Sequence, residues 1–389
     1  MVQTKEKAVR NTKPSSRRKS RRKYQEADFM LLAVTAALVL FGLLMVYSAS
    51  SYENVVKGFA AYKDVIKQGI FALAGLAVMI FIFSNVDYHR YTLQLTKYGV
   101  VVILILNVAV ILFDPTKGAS RWIKFGGISF QPSELAKFIV VLYAANMLKR
   151  METYRRRPWK PVMKVFLVAG LFAGVIVLLQ SNLSIGAIVL ISAFVLIFLS
   201  GASLLHVGFL AALGFAGLLM ALLFEPYRMA RLMSFMKPFE DAQGDGHQLV
   251  QSLYALTGGG FFGRGLGMSR MKAFWLPEAH NDFIFAVVVE ELGFLGGFIL
   301  ILLILLLIFS GIRIAMKAQD TFGRLLAMGI TTVFALQSLI NIAVVIGAFP
   351  VTGVTLPFIS AGGTSLMVNL AAVGILLNIS RQKAPAKTA

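Results

Sequence analysis

The 389-residue chain contains no cysteine. It therefore has no disulfide, no thiolate nucleophile and no zinc or iron–sulfur site with cysteine ligands. Histidine is also scarce, with four residues, and His206, His247 and His280 lack the spacing of a zinc site. No Ser-His-Asp order or nucleophile elbow is present. These absences direct the search for chemistry to carboxylates and cations.

Charged residues are few as well. They make up 14% of the chain, whereas soluble domains average about 25%. Hydrophobic residues make up 58%, and the mean hydropathy is +0.76. This composition excludes a soluble globular domain and predicts a polytopic membrane protein.

Long apolar runs define the predicted fold. A helix needs about 20 apolar residues to cross the hydrocarbon core, and open sheets cannot satisfy their backbone in lipid. We therefore predict an all-α integral membrane bundle of ten transmembrane helices, in domain 29–380 between a basic tail, 1–28, and a C-terminal tail, 381–389. The predicted spans are 29–49, 66–84, 98–113, 134–149, 162–180, 183–200, 206–225, 282–311, 325–348 and 357–379.

The distribution of Lys and Arg predicts the orientation, because these residues stay on the cytoplasmic side. With the N-terminus inside, 25 of the 38 basic residues fall in parts predicted to be cytoplasmic and 11 in outward loops. Both termini are therefore expected in the cytoplasm. The net charge of +20 indicates contact with anionic membrane lipids, and the bundle directly after the basic tail argues against nucleic-acid binding.

The segment 276–285 is the strongest candidate site, because Glu278, His280 and Asp282 lie where a long polar loop enters an apolar helix. Ionisable groups in or beside a bilayer are costly and mark functional sites. We predict that Asp282 lies in the first turn of a helix running to Leu307, where the helix dipole favours an anion. Capping and catalysis are both open roles for Asp282 at this point.

The large outward loop, 226–281, is too long for a structureless connection. Residues 249–256 have the pattern of a short amphipathic helix in the interface. The glycine-rich stretch 258–267 follows, with Arg264 inside it and Lys272 after it. Two interpretations of this stretch are open: its backbone amides form a phosphate-binding nest, or its glycines form a flexible turn. The spacing of a P-loop is missing, which excludes a nucleotide site.

The first large outward loop carries Arg121 and Lys124, and the helix after it begins with Glu134 and Lys137. Positions 134 and 137 are i,i+3 and share one helix face. Three interpretations of Lys137 remain open. It snorkels to water, pairs with Glu134, or binds a lipid diphosphate.

Two further carboxylates, Glu290 and Glu291, follow Asp282 on the predicted helix. At 1.5 Å per residue they would lie about 12–14 Å deeper, facing the bundle interior and either paired or neutral. A proton path in a transporter and a structural hydrogen-bonding role both fit. The structural role is the commoner, so we leave both residues out of the catalytic set.

Several motifs together resemble the SEDS family of bacterial cell-wall polymerases, whose members include FtsW, RodA and SpoVE. The resemblance covers nearly all of the chain after the basic tail. Residues 231–235 and 248–253 look more like FtsW or SpoVE than RodA. The motifs are Tyr47-Ser48-Ala49-Ser50, Ser120-Arg121-Trp122-Ile123, Gln131-Pro132-Ser133-Glu134-Leu135-Ala136-Lys137, Gly265-Leu266-Gly267, Leu276-Pro277-Glu278-Ala279-His280, Asp282-Phe283-Ile284-Phe285, Glu290-Glu291-Leu292-Gly293 and Thr355-Leu356-Pro357-Phe358-Ile359-Ser360.

The resemblance implies a SEDS-type bundle and a peptidoglycan glycosyltransferase that polymerises lipid II at the outer face of a bacterial cytoplasmic membrane. It also implies a class B penicillin-binding protein and other division proteins as partners, and septal wall synthesis as the role. The family's essential aspartate matches Asp282, and Lys137 matches a position regarded as important. Asn182 replaces a usual aspartate, so no carboxylate role carries over to that position.

The expected mechanism makes Asp282 the general base on a sugar hydroxyl, which attacks a second lipid-linked sugar and expels undecaprenyl diphosphate. A divalent cation, Mg²⁺ or Mn²⁺, held partly by Asp282 and Glu278 is one source of positive charge for the leaving group. A lipid II flippase and a non-catalytic division scaffold are the alternative functions. The other residues predicted to bind substrate are Lys137, Glu134, Arg121, Lys124, Glu278, His280, Arg264 and Lys272.

Overall fold

The computed structural model describes residues 27–83, 85–113, 120–125, 128–151, 159–273 and 275–382. Most of both predicted tails lies outside these ranges. The described residues form twelve α-helices: α1 Phe29–Val56, α2 Lys63–Ala77, α3 Leu93–Ala109, α4 Pro132–Leu148, α5 Trp159–Leu179, α6 Leu183–Leu199, α7 Leu204–Leu223, α8 Pro226–Met236, α9 His247–Gly259, α10 Ile284–Met316, α11 Thr321–Val345 and α12 Gly363–Arg381.

Every predicted span coincides with a helix, which confirms the helical membrane fold. Eight of the helices are long and apolar enough to cross a membrane. The other two predicted spans correspond to α4 and α6, which have 17 residues each. The predicted total of ten spans therefore stays a prediction.

The loop segments contain structure that hydropathy does not show. Two short antiparallel strands, β1 Ile123–Phe125 and β2 Ile128–Phe130, form a hairpin before α4. The helix predicted over 249–256 is confirmed as α9, which packs against α10 and α11. The Ser252 hydroxyl donates to the Val345 carbonyl at 2.8 Å and ties α9 to the end of α11.

Polar contacts define two ends of the bundle. We call the end formed by residues 120–125, 128–131, 180–182, 224–273, 275–283 and 346–362 the loop face, and the opposite end the tail face. At the tail face, Arg313 Nη2 lies 2.6 Å from Asp28 Oδ2, and the Asp28 amide donates to the Ser380 hydroxyl at 3.1 Å. The start of α1 and the end of α12 therefore lie at the same end of the bundle.

Helix α10 is broken at Gly293, where φ is +73°. The carbonyls of Glu290 and Glu291 accept from the amides of Arg264 and Gly265, at 3.0 and 2.9 Å. The helix-interior amides past the break, Phe294 N and Leu295 N, donate to the carbonyls of Gly260 and Phe261. The glycine-rich stretch thus satisfies the backbone groups that the break releases, as a membrane-embedded helix requires.

This break leads to a prediction for Gly293→Ala. A Cβ at Gly293 would lie 2.3 Å from both Gly263 N and Phe261 O, and backbone atoms cannot move aside cheaply. We expect Gly293→Ala to destabilise the protein by several times the strain of a positive φ alone, which is about 1–2 kcal/mol. Thermal unfolding in detergent measures the difference.

Gly267→Ala is the matched control for Gly293→Ala. Gly267 also has a positive φ, +82°, but no described atom lies within 4 Å of the position that a Cβ would take there. Alanine at this position therefore meets only backbone strain. Equal losses of stability in the two variants would contradict close backbone packing at the break.

A second polar cluster joins three elements at the tail face. His89 Nδ1 lies 2.7 Å from Asp87 Oδ1, and His89 Nε2 lies 3.3 Å from Asp320 Oδ2. The Tyr88 hydroxyl donates to Asp320 Oδ1 at 2.7 Å, and Gln382 Nε2 donates to Asp87. The cluster connects the segment before α3, the N-cap of α11 and the end of α12.

The cluster makes stability depend on pH. The hydrogen bond to Asp320 raises the pKa of His89 despite its partial burial. Burial alone would raise the pKa of Asp320, but hydrogen bonds from His89, Tyr88 and the Gly323 amide lower it to about 2. The contribution of His89 to the free energy of unfolding is complete below the unfolded-state pKa of 6.5. It is lost as the pH rises through the raised pKa of the folded state. The Asp320 contribution is lost only below pH 3.8.

We therefore expect His89→Gln to be less stable than wild type at pH 6 by up to about 1 kcal/mol, and the gap to narrow above the raised pKa. Thermal unfolding in detergent between pH 5.5 and 8.5 measures it. His206→Gln serves as the control, because His206 is an exposed histidine at the start of α7. A His89→Gln gap that stays constant with pH would contradict the charged pairing.

Candidate active site

Asp282 lies in the turn that leads into α10. The helix begins at Ile284, and Phe283 is its N-cap residue. The predicted place of Asp282 in the first helical turn is therefore wrong, because the chain stays in a turn through residue 283. The Asp282 carbonyl accepts from Asn341 Nδ2 at 2.7 Å, which fixes the backbone and leaves the carboxylate to other contacts.

Helix α11 and the connection that follows it hold this turn in place. Asn341 Nδ2 bridges the carbonyls of Asp282 and Val354, both at 2.7 Å. The Ser360 hydroxyl donates to the Asn281 carbonyl at 2.7 Å, and the Ala361 amide donates to the His280 carbonyl. The connection between α11 and α12 therefore positions the predicted catalytic residue.

Backbone strain concentrates around the same turn. Ser181, Glu278 and Phe358 are the residues other than glycine with a positive φ among those described, at 50°, 56° and 67°. Such conformations cost about 1–3 kcal/mol each and cluster at functional sites. All three residues belong to the loop face, which supports a functional assignment for this region.

Arg121 is the cation beside Asp282. Its Nε donates to the Gln180 carbonyl at 2.9 Å and its Nη2 to the Ser181 carbonyl at 2.8 Å. Its Nη1 and Asp282 Oδ2 lie 3.3 and 3.6 Å from the position that a Cβ would take on Gly353. The guanidinium and the carboxylate therefore border the same small space beside this glycine, and Asp282 acts electrostatically on Arg121.

The electrostatic environment of Arg121 is mixed. Burial lowers the pKa of Arg121, Arg231 lowers it further, and Tyr227 and Asp282 raise it. Arginine remains protonated in proteins all the same. The site thus contains a fixed positive charge beside a carboxylate, which suits a base working next to an anionic leaving group.

The other predicted residues of the Asp282 segment have contacts of their own. Glu278 Oε2 accepts from Asn281 Nδ2 at 2.6 Å, so this carboxylate stiffens the turn. His280 Nδ1 lies 3.6 Å from Glu53 Oε2 at the end of α1. Lys124 lies on β1 with an exposed side chain. The described residues contain no group of three or more His, Asp or Glu side chains able to hold a metal ion.

Lys137 is enclosed in the bundle, with a side chain that is 0% exposed. Its Nζ lies 3.0 Å from both Glu134 carboxylate oxygens and 2.6 Å from Gln337 Oε1. Glu134 also accepts from the Ser365 hydroxyl at 2.6 Å. Pairing with Glu134 is therefore the observed state, and the snorkelling interpretation is wrong because the amine does not reach the surface.

The Lys137 pair contacts the Asp282 turn only indirectly. Gln337 Nε2 donates to the Thr355 carbonyl at 3.0 Å, and the neighbouring Val354 carbonyl shares Asn341 with Asp282. A buried network thus runs from α4 through α11 to the loop that carries Gly353. In this arrangement Lys137 positions the site.

Arg264 and Lys272 belong to a different cluster, under the glycine-rich stretch. Lys272 Nζ lies 2.7 Å from Glu291 Oε1, and Arg264 Nε lies 3.8 Å from Glu290 Oε1. The amides of Ser269, Arg270 and Met271 donate to the same two carboxylates. Glu290 and Glu291 are buried and paired, as expected, and they anchor the loop.

The contacts of the glycine-rich stretch contradict both interpretations given above for it. The amides of Arg264 and Gly265 are bonded to helix carbonyls, so they do not form a phosphate nest. The stretch is also not a loose turn, because a Cβ on Gly263 would lie 2.2 Å from the Glu291 carbonyl oxygen. The glycines are needed for close backbone approach to α10.

Sequence reasoning missed four residues of the site. Asn341 lies inside α11. Gly353 lies in the connection after α11, which has no charged residue, and no local pattern marks either position. Arg228 and Arg231 lie one helical turn apart on α8, and this i,i+3 spacing of arginines was the available signal.

The fold and the site define an integral membrane protein with a carboxylate and an arginine at one end of its helix bundle. The sequence profile of the family described as "Cell cycle protein", which unites FtsW, RodA and SpoVE, matches residues 28–385. The chain belongs to this family.

Known relatives match along almost the whole chain. Stage V sporulation protein E of Bacillus subtilis is 40% identical over 363 residues, covering 91% of this chain and 97% of that protein. A probable peptidoglycan glycosyltransferase FtsW of Geobacter sp. is 37% identical over 362 residues, covering 92% and 98%. A solved structure of a peptidoglycan synthase complex, described as coordinating polymerization and crosslinking, superimposes with a TM-score of 0.72 at 27% identity and covers 91% and 98%.

Proposed function

We propose that the protein is a peptidoglycan glycosyltransferase that polymerises lipid II at the outer face of the bacterial cytoplasmic membrane during septal wall synthesis. The observation that carries this proposal is the Asp282 carboxylate near the Arg121 guanidinium, on a turn held by α11 and the connection after it. The names of the relatives support the same reaction class.

Asp282 acts as the general base. It takes the proton from a hydroxyl of the acceptor sugar as that oxygen attacks the anomeric carbon of the donor. The bond between this carbon and the diphosphate oxygen breaks, and undecaprenyl diphosphate leaves with the electron pair. General-base assistance typically contributes about 10²–10⁴-fold to the rate. The activated donor supplies the driving force, so the reaction needs no ATP.

Positive charge at Arg121 stabilises the charge that develops on the leaving diphosphate. A divalent cation carried by the diphosphate would add to this positive charge. Asp282 and Glu278 are the carboxylates that would hold such a cation. Addition of Mg²⁺ or Mn²⁺ after chelation tests that contribution.

The orientation follows from the distribution of basic residues. The tail face borders the arginine- and lysine-rich parts of the chain, so we place it in the cytoplasm and the loop face outside. Lipid II presented on the outer leaflet then meets Asp282 at the membrane surface. A class B penicillin-binding protein that cross-links the glycan is the expected partner, in line with the matched synthase complex.

The experiment that tests this function combines two assays on the purified protein, with and without its transpeptidase partner. One assay measures glycan chains formed from lipid II, and the other measures lipid II movement between the leaflets of a liposome. We expect glycan formation. Lipid II movement without glycan formation would overturn the proposal in favour of a flippase, and neither activity would favour a scaffold.

A further inference from the structure

Two arginines of α8 converge on Arg121. Arg228 is 9% exposed, and its guanidinium donates to the carbonyls of Ala221 at 2.6 Å and Val177 at 2.7 Å. Val177 lies on the same last turn of α5 that leads to Gln180, which holds Arg121. Arg228 and Arg121 therefore dock side by side on the carbonyl end of one helix.

Arg231 reaches the same place from the other side. Its Nη1 donates to the Val351 carbonyl at 3.2 Å, two residues before the glycine that Arg121 and Asp282 border. Its guanidinium lies 4.7 Å over the Tyr227 ring, which holds it in one orientation.

These three arginines differ from the two buried lysines in the described part of the chain. Lys137 and Lys272 each lie within 3.0 Å of a carboxylate oxygen, and so does the half-buried Arg313. Arg121, Arg228 and Arg231 instead direct their hydrogen bonds within the described residues to neutral backbone carbonyls.

Three clustered guanidinium groups that bond to neutral carbonyls are unfavourable in a partly buried setting. Mutual repulsion adds to the desolvation penalty, and the Asp282 carboxylate beside Gly353 cannot by itself balance three positive charges. Such an arrangement is stable and useful when an anion of matching charge binds to it.

An open cavity of about 360 Å³ adjoins the cluster, with Arg231 in its wall. Pro277, next to Glu278, and Val351 form other parts of the wall, so the cavity opens beside the Asp282 turn. The segment 243–248 covers it with polar side chains. Its one carboxylate, Asp245, is exposed.

We propose that Arg121 and Arg231 bind the diphosphate of the lipid carrier, with Arg228 as a positioning residue. This assignment rests on the proposed function. Arg121 uses Nε and Nη2 for backbone carbonyls, which leaves Nη1 beside Gly353 as its donor to a ligand. Arg231 lines the cavity, and its Nη1 donates to the Val351 carbonyl, which leaves Nε and Nη2 as donors. A diphosphate between the two arginines receives charge-assisted hydrogen bonds from Arg121 Nη1 and from the planar Nε–Nη2 edge of Arg231, a geometry that arginine offers better than lysine. Lys137, Arg264 and Lys272 are instead committed to glutamates.

The test measures binding of undecaprenyl diphosphate to the purified protein in nanodiscs, with undecaprenyl phosphate and inorganic pyrophosphate as separate arms. We expect Arg231→Gln to weaken diphosphate binding about 10-fold or more, because hydrogen bonds to charged groups are lost. The affinity for undecaprenyl phosphate is expected to fall less in this variant. Binding of inorganic pyrophosphate with the same dependence would show that the headgroup alone is recognised.

Arg270→Gln is the matched control, since Arg270 is an exposed arginine of the same loop. Arg121→Gln repeats the test at the second arginine. Arg231→Lys keeps the charge and is expected to recover only part of the affinity. Thermal unfolding establishes that each variant is folded. Unchanged diphosphate binding in a folded Arg231→Gln variant overturns the inference.

The two proposals fail in different ways. Binding that depends on Arg231 in a protein that forms no glycan would reject the glycosyltransferase and keep the anion site. Glycan formation that depends on Asp282, with diphosphate binding indifferent to Arg231 and Arg121, would keep the enzyme and reject the anion site.

Discussion

Asp282→Asn is expected to lower the rate of glycan polymerisation by about 10²–10⁴-fold while the protein stays folded. The amide keeps the size of the side chain but cannot accept a proton at neutral pH. The backbone contact that positions the turn, from Asn341 to the Asp282 carbonyl, does not involve the side chain and is retained. Initial rates with purified lipid II measure the effect.

Glu240→Gln is the control for Asp282→Asn. It removes one negative charge from the same large loop, but Glu240 is exposed and pairs with Lys237 at the surface. A surface pair of this kind is worth about 0–1 kcal/mol, so wild-type activity is expected. Full activity in a folded Asp282→Asn variant would refute the general-base role.

Lys137→Met is expected to lower the stability by about 3–5 kcal/mol, because it leaves the Glu134 carboxylate buried without its counter-charge. Glu134 is 3% exposed, and its remaining partner is the Ser365 hydroxyl. Unfolding of the purified variant in detergent measures the loss.

The double variant Glu134→Gln with Lys137→Met is the matched comparison. Removing both charges takes away the uncompensated carboxylate, so the double variant should be more stable than Lys137→Met alone. The double-mutant cycle isolates the pair energy. Wild-type stability in Lys137→Met would mean that the buried pair contributes nothing.

The ten predicted spans coincide with helices, because lipid demands continuous apolar runs, but some of their ends differ by six or seven residues, as at the end of α1 and the start of α12. The break at Gly293 could not be predicted from the sequence. A single glycine in an apolar run is tolerated in a continuous helix, and the groups that replace its hydrogen bonds come from residues 260–265 in the preceding loop.

The candidate site was only partly predictable for a related reason. Asp282 stands out in the sequence as a carboxylate just before an apolar helix. Which cations face it depends on long-range pairing: Lys137 and Lys272 look available in sequence, yet each is committed to a glutamate. Arg228 and Arg231 are marked in the sequence only by their i,i+3 spacing, because their partners are backbone carbonyls that carry no sequence signal.

The most direct test of the proposed reaction is the stoichiometry of carrier release. Purified protein would be supplied with doubly labelled lipid II on the accessible leaflet, without ATP, and glycan length and free undecaprenyl diphosphate would be measured together. We expect glycan strands to grow with the release of one carrier diphosphate for each disaccharide joined. Carrier diphosphate released without glycan growth, or lipid II consumed with neither product, would contradict polymerisation at Asp282.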